Sequence, residues 1–248
     1  MTVAADIVEN ALLGGRVRLR QPARGYRAGL DAALLAAAIA ARPGQRVIEA
    51  GCGAGGALLQ IAARRPESLL TGVEREAPAA ALARDNAALN GVADRVEILT
   101  ADVADGFRAL DRAPYDWAVS NPPFFDDPGA LRPPAAGKRA AWMADDGLAA
   151  WTGFLLKAVK ENGRIVLIHR ADRLADILAL LTPKAGSFVV LPVHPHIDEP
   201  AKRVLVAATK TGKAPLRLLP PLILHPRDGA KHTPQAEAVL RGEVEIDL

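Results

Sequence analysis

From Gln45 onward, short runs of β-branched and apolar residues alternate with stretches whose apolar residues recur at helical spacing, and no other feature of the sequence narrows the fold so far. That alternation is the pattern of a mostly parallel sheet whose crossovers are helices. It predicts strands over 46–50, 69–74, 96–100, 115–120, 164–169, 188–193 and 204–209. Helices are expected between them over 57–65, 78–90, 103–110, 147–160 and 173–181. The stretch from His194 to Arg203 is Pro-rich and too short for a crossover helix, so the last two strands should run antiparallel. Ahead of the sheet, 31–42 reads as a helix stopped by Pro43-Gly44. After Lys210, a strand over 222–225 and a helix begun by Thr233 and Pro234 are expected. The chain thus divides into a basic segment and helix over 1–44, an α/β domain over 45–210, and an extension over 211–248 packed on the same domain.

With 248 residues, half of them apolar, the chain can bury one substantial core. Its single cysteine, Cys52, rules out an internal disulfide and fits a reducing compartment, so the cytoplasm is expected. The first fifteen residues lack the layout of a signal peptide, and the longest apolar run, 32–41, falls far short of the roughly 20 residues that span a bilayer. No membrane association is expected. A formal charge of +3 is compatible with a nucleic-acid partner without requiring one.

The first strand runs straight into Gly51-Cys52-Gly53-Ala54-Gly55-Gly56 and then a helix, a turn that lets a ligand lie against bare main chain. Gly51, Gly53 and Gly56 have the spacing of a dinucleotide loop, while Gly51, Gly53 and Gly55 have that of an S-adenosylmethionine (SAM) loop. Glycine count does not choose between them, but charge does. Glu49, just before the loop, would meet a pyrophosphate as a like charge, whereas SAM brings a cationic amino-acid moiety and a sulfonium. Glu74, 23 residues after Gly51, stands where ribose hydroxyls would be accepted, and Asp102, followed by Val103, where an adenine amino group would lie. Cys52 reads as a small packing residue of the cofactor loop, because no base is placed to activate it.

After the fourth strand comes Asn121-Pro122-Pro123-Phe124, which resembles the catalytic motif of class I amino-methyltransferases. The chemistry suits it. An amine on an sp2 carbon has its lone pair delocalised, so acceptors for its two N–H bonds localise electron density on nitrogen in the transition state. Asn121 offers its side-chain oxygen and Pro122 its carbonyl, the two prolines stiffen the turn, and Phe124 offers a face for a flat acceptor. Phe125 reads as packing or a lid contact, and Asp126 and Asp127 as loop solvation. The predicted sheet, six strands parallel and the last antiparallel, likewise resembles the class I methyltransferase fold.

Over most of its length the chain is most similar to the small-domain methyltransferases of the bacterial tRNA adenine-N6 type, which modify the adenine beside the anticodon of a valine tRNA. The likeness extends to Gly29-Leu30-Asp31 with Leu34-Leu35, and to Lys202-Arg203-Val204-Leu205 at the last strand. It implies SAM as cofactor and adenine N6 in tRNA as acceptor. Phe124 stands where these enzymes often have Tyr, so a protein glutamine or a ribosomal guanine-N2 remains an alternative acceptor. Glutamine enzymes usually carry a helical N-terminal domain and guanine enzymes a duplicated one, while 45 residues precede the first strand of the predicted sheet here. A SAM- or RNA-binding module without turnover is the non-enzymatic alternative, and the intact Asn121–Phe124 motif argues against it. For the RNA, 16–20 reads as a strand with Val17 and Leu19 inward and Arg16, Arg18 and Arg20 outward, extended by Arg24 and Arg27, a ladder for phosphates. A solvated edge strand explains the same arginines. His194 and His196, near Asp198, lack further ligands at metal-site spacing, and no metal is expected.

Overall fold

The computed structural model describes residues 6–23, 28–123 and 146–248. A hairpin comes first, β1 (Ile7–Leu12) and β2 (Val17–Pro22), antiparallel and apart from the main sheet. Helix α1 (Leu30–Ala37) leads into β3 (Arg46–Ala50), α2 (Gly56–Arg64), β4 (Leu69–Glu74), α3 (Ala77–Leu89), β5 (Val96–Thr100) and β6 (Tyr115–Ser120). Then follow α4 (Asp146–Ala158), β7 (Val159–Arg170), α5 (Leu174–Leu181), β8 (Ala185–His194) and β9 (Arg203–Lys210). Two short strands, β10 (Arg217–Leu218) and β11 (Leu222–Ile223), and helix α6 (Pro234–Arg241) complete the described elements.

The main sheet runs β10-β8-β9-β7-β6-β3-β4-β5, with β11 also pairing β8. β3, β4, β5, β6 and β7 pair in parallel, and β9 is antiparallel to both neighbours, as expected from the short turn before it. Alternation along each strand feeds two cores. Val47, Val119, Val166 and Leu205 face one layer with α1, α2 and α3, while Ile48, Ala118, Leu167 and Val206 face the other with α4 and α5.

Two expected helices differ. The crossover after β5 is a pair of 3-10 turns, Val103–Asp105 and Phe107–Leu110, because Gly106 between them sits at φ 80° and Asp111 closes the second at φ 49°. Helix α1 stops at Ala37, short of 42. The carbonyls that a continuing helix would use are taken from outside: Ile246 donates its amide to Ala37 at 3.0 Å, and Arg65 donates to Ile39 at 2.6 Å. The first hairpin strand and β10 went unforeseen, since neither carries a clear apolar alternation.

Candidate active site

The site lies where β3 and β6 adjoin. Neighbouring strands to either side connect away in opposite directions there, which makes it the switch point of the sheet, the place where open α/β sheets bind ligands beyond their strand ends. Ala50 is paired with Ser120, so the glycine loop and the Asn-Pro-Pro loop leave the sheet side by side, about 4.8 Å apart at their roots. Ser120 ties them together by donating its buried hydroxyl to the Ala50 carbonyl at 2.9 Å. Asn121 and Pro123 are half-buried and Pro122 is buried. Phe124, with Phe125, Asp126 and Asp127, lies outside the described residues.

Both Gly51 and Cys52 donate their amides to the Val73 carbonyl, at 2.8 and 3.0 Å, which folds the loop back onto β4. Gly51, at φ 70°, rests on Trp151 of α4, and a Cβ there would come within 2.3 Å of the indole edge. Gly53, at φ 54°, has no neighbour within 4 Å of where its Cβ would be. Its bare face is therefore open to a ligand, and Gly55 at φ 90° starts α2. Cys52 is buried, with its thiol pushed well up by burial and by the carboxylates of Glu49 and Glu74, so it acts as packing.

Glu49 lies under the loop at 2 % exposure, not at its rim. Burial first, then the like charge of Glu74, pushes its pKa up to about 8 despite a hydrogen bond from the Leu58 amide. Its Oε2 is buried without a hydrogen-bond partner among the described residues. A buried acceptor of that kind fits a cationic ligand group, such as the ammonium of an amino-acid moiety. Glu74 accepts the Gly53 amide on Oε2 and the Glu76 amide on Oε1, both at 2.9 Å. A carboxylate has about four lone-pair sites, so part of its capacity remains for ribose hydroxyls. Asp102 spends Oδ1 on the Ala104 amide at 2.9 Å, and Val103 beside it is buried. These residues stand at the ends of the neighbouring strands β3, β4 and β5, and their open glycine and carboxylate acceptors fit SAM.

Arg18 and Arg20 stand outward on β2 as expected, where Glu9 on β1 binds them at 2.8 Å and 3.0 Å, while Arg16 precedes the strand and donates instead to the carbonyls of Arg241 and Gly242. Val17 and Leu19 point inward as expected, while Arg24 and Arg27 lie outside the described residues. His194 and His196 each set Nδ1 against a main-chain carbonyl, of Glu199 at 2.6 Å and His225 at 2.9 Å. Trp151 beneath Gly51 and Asn86, which donates to the Ala54 carbonyl at 3.0 Å, support the loop and were missed. Only the apolar spacing of their helices marked them in the sequence.

The profile of the methyltransferase small domain matches residues 27–133. A tRNA1(Val) (adenine(37)-N6)-methyltransferase of Dickeya chrysanthemi is 30 % identical over 198 residues, covering 78 % of this chain and 76 % of that one. The enzyme of the same name from Yersinia enterocolitica is 40 % identical over 189 residues, 74 % and 73 % of the two chains, and that of Porphyromonas gingivalis 30 % over 229 residues, 86 % and 87 %. The chain belongs to this methyltransferase family. Among solved structures, a predicted O-methyltransferase from Agrobacterium tumefaciens superposes with TM-score 0.70 at 27 % identity, over 88 % of this chain and 99 % of its own. A SAM-dependent O-methyltransferase from Thermotoga maritima, at 19 % identity and TM-score 0.55 over 77 % and 69 %, shares the fold. The two family segments read at Gly29-Leu30-Asp31 and Lys202-Arg203 meet in space: Asp31 binds Arg203 at 2.9 Å, joining α1 to β9.

Proposed function

We propose that this methyltransferase transfers the methyl group of SAM to N6 of an adenine beside the anticodon of a valine tRNA, in the cytoplasm. The observation that carries the reading is the register that sets Asn121-Pro122 beside the glycine loop, with the acceptor-rich turn and the open face of Gly53 on one edge of the sheet. SAM supplies an activated methyl on a sulfonium, so no metal is needed to make a leaving group. Glu49 is the acceptor for the ammonium of its amino-acid moiety, and Glu74 for its ribose. Asn121 through its side-chain oxygen and Pro122 through its carbonyl accept the two N–H bonds of the adenine amine, raising electron density on nitrogen as the bond to carbon forms. The proton leaves readily once nitrogen is cationic, so a strong base is not required.

Replacing Asn121 by Ala tests the mechanism. Affinity for SAM, read by calorimetry, should stay within about twofold, while turnover on valine tRNA falls about 10²–10³-fold, the usual cost of one transition-state acceptor. Wild-type turnover in that variant would refute the role of Asn121. Mass spectrometry of nucleosides from tRNA of a deletion strain should lose N6-methyladenosine and regain it on complementation. Methylation instead of a glutamine side chain in a protein fraction would replace the RNA reading.

A further inference from the structure

We propose that Arg170, Arg173 and Arg203, clustered at the strand ends next to Asn121, grip the phosphates of the RNA that flank the target adenine. The inference rests on the tRNA reading above and assigns the charge that the β2 ladder was expected to supply. Its basis is register. Strand β7 is parallel to β6 with Leu167 opposite Ser120, so Arg170 ends β7 three residues beyond that pair, on the strand adjoining Asn121. On the next strand, antiparallel β9, Arg203 is paired directly with Arg170. Arg173 follows in the 3-10 turn Ala171–Arg173 that leaves β7. Arg170 and Arg203 therefore sit within two strand spacings of the acceptor loop, with Arg173 in the turn that follows, on the edge where the site opens.

All three act on the charge of one buried group, the imidazole of His169, which is 2 % exposed. Burial, then Arg173, Arg170 and Arg203 in that order, pushes its pKa down to about 4, a sign that the local potential is positive. Each arginine also has a carboxylate: Arg170 binds Asp172, Arg173 binds Asp176 at 2.6 Å, and Arg203 binds Asp31 at 2.9 Å. These partners are unequal. Asp172 and Asp176 are 57 % and 50 % exposed while Arg170 and Arg173 are 33 % and 19 %, so in each pair it is the carboxylate that stands toward water and gives way when a phosphate takes its place on the guanidinium. Asp31, at 20 %, braces Arg203 against α1 and leaves its NH1 on the Lys202 carbonyl at 3.1 Å, with the exposed Lys202 ammonium alongside. A guanidinium matches two phosphate oxygens at once, which an ammonium does not. Near the first hairpin, by contrast, one carboxylate, Glu9, spans both Arg18 and Arg20, and Arg16 and Arg64 donate to carbonyls of the C-terminal segment.

The test compares two double variants of the full chain, Arg170→Gln with Arg173→Gln and Arg18→Gln with Arg20→Gln, binding an unmodified valine tRNA transcript across a range of salt. In the first, the slope of log affinity against log salt should flatten by about 1.4–1.8, at 0.7–0.9 per lost phosphate contact. Affinity should fall roughly tenfold or more per guanidinium, the worth of a charge-assisted hydrogen bond. The loss should appear in KM for tRNA with kcat at saturation within about threefold, and SAM affinity and Tm should match the wild type. The second pair should keep the wild-type slope. An unchanged slope in the first pair, or a flattened one in the second, overturns the inference while methylation of the transcript by the wild-type protein leaves the tRNA reading standing. Failure of the wild-type protein to bind or methylate the transcript removes both.

Discussion

Glu49 shows how far a single residue could be read and where the reading stopped. Its place before Gly51 marked it as a partner for a cationic cofactor, yet sequence position carries no burial, and the depth at which β3 holds it changes its chemistry. With its pKa at about 8, the ligand-free protein keeps this group protonated near neutrality, whereas the unfolded chain releases that proton near 4.5. The folded state therefore binds more protons between those values, and Glu49 makes the ligand-free protein progressively less stable as pH rises from 4.5 through 8. An ammonium placed against it favours the ionised form, so cofactor binding should release a proton below pH 8. S-adenosylhomocysteine, which keeps the ammonium, should accordingly raise Tm more at pH 8 than at pH 6. Glu49→Gln should remove that difference. Equal Tm increments at both pH values in the wild-type protein would show that Glu49 does not meet the ammonium. The place of Asn121-Pro122-Pro123 was legible for the opposite reason: it follows directly on a strand end, which the residue types of the sequence display.

Among the elements, the seven long strands were legible because their mostly apolar runs are bounded by turn residues, and β2 was legible from the alternation of Val17 and Leu19 with arginines, whereas what holds its free edge was not, because that support comes from a helix. Asn86 on α3 and Asn90, which caps its C-terminus one turn later, face β2 as a neighbouring strand would. Asn86 accepts the Arg20 amide at 2.9 Å and donates to the Arg20 carbonyl at 2.8 Å, while Asn90 does the same for Arg18 at 2.8 and 2.7 Å. The match is geometric. Four residues of helix rise about 6 Å, close to the 6.5–7 Å between alternate residues of a strand, so two amides satisfy four main-chain groups at the free edge of β2. Asn86 is fully buried and also holds the Ala54 carbonyl of the cofactor loop. Asn86→Ala should therefore cost about 2–3 kcal/mol of unfolding free energy in urea, from buried groups left unsatisfied. Asn90→Ala, at a more exposed position, should cost about half as much. A loss below about 0.5 kcal/mol for Asn86→Ala would mean that water replaces the amide and the hairpin is held by Val17 and Leu19 alone.

At the scale of the molecule, the topology followed from strand count and from one short connection, but the role of the residues after Lys210 did not, because they are held by main-chain contacts that no side-chain pattern announces. Strands β10 and β11 pair with the outer edge of β8, and α6 closes on α1 with Ala236 and Val239 buried. Arginines from the body clasp this segment by its carbonyls: Arg64 holds Val239 at 2.6 Å, Arg16 holds Gly242 at 2.9 Å and Arg164 holds Leu248 at 2.8 Å. The return contact, Ile246 to the Ala37 carbonyl, is what ends α1. The segment therefore completes the layer that supports the glycine loop from behind. Removing 213–248 strips cover from the core where Leu222, Leu224 and Val239 were buried, a loss of roughly 5–9 kcal/mol at 1.5–3 kcal/mol per side chain. In a chain of this size about 2–4 °C of Tm goes with each kcal/mol, so Tm should fall by at least 10 °C. It also bares β8 as a long apolar edge, so light scattering on heating should become concentration-dependent. A truncated chain with unchanged Tm and reversible unfolding would show that the segment is an ornament on a domain stable without it.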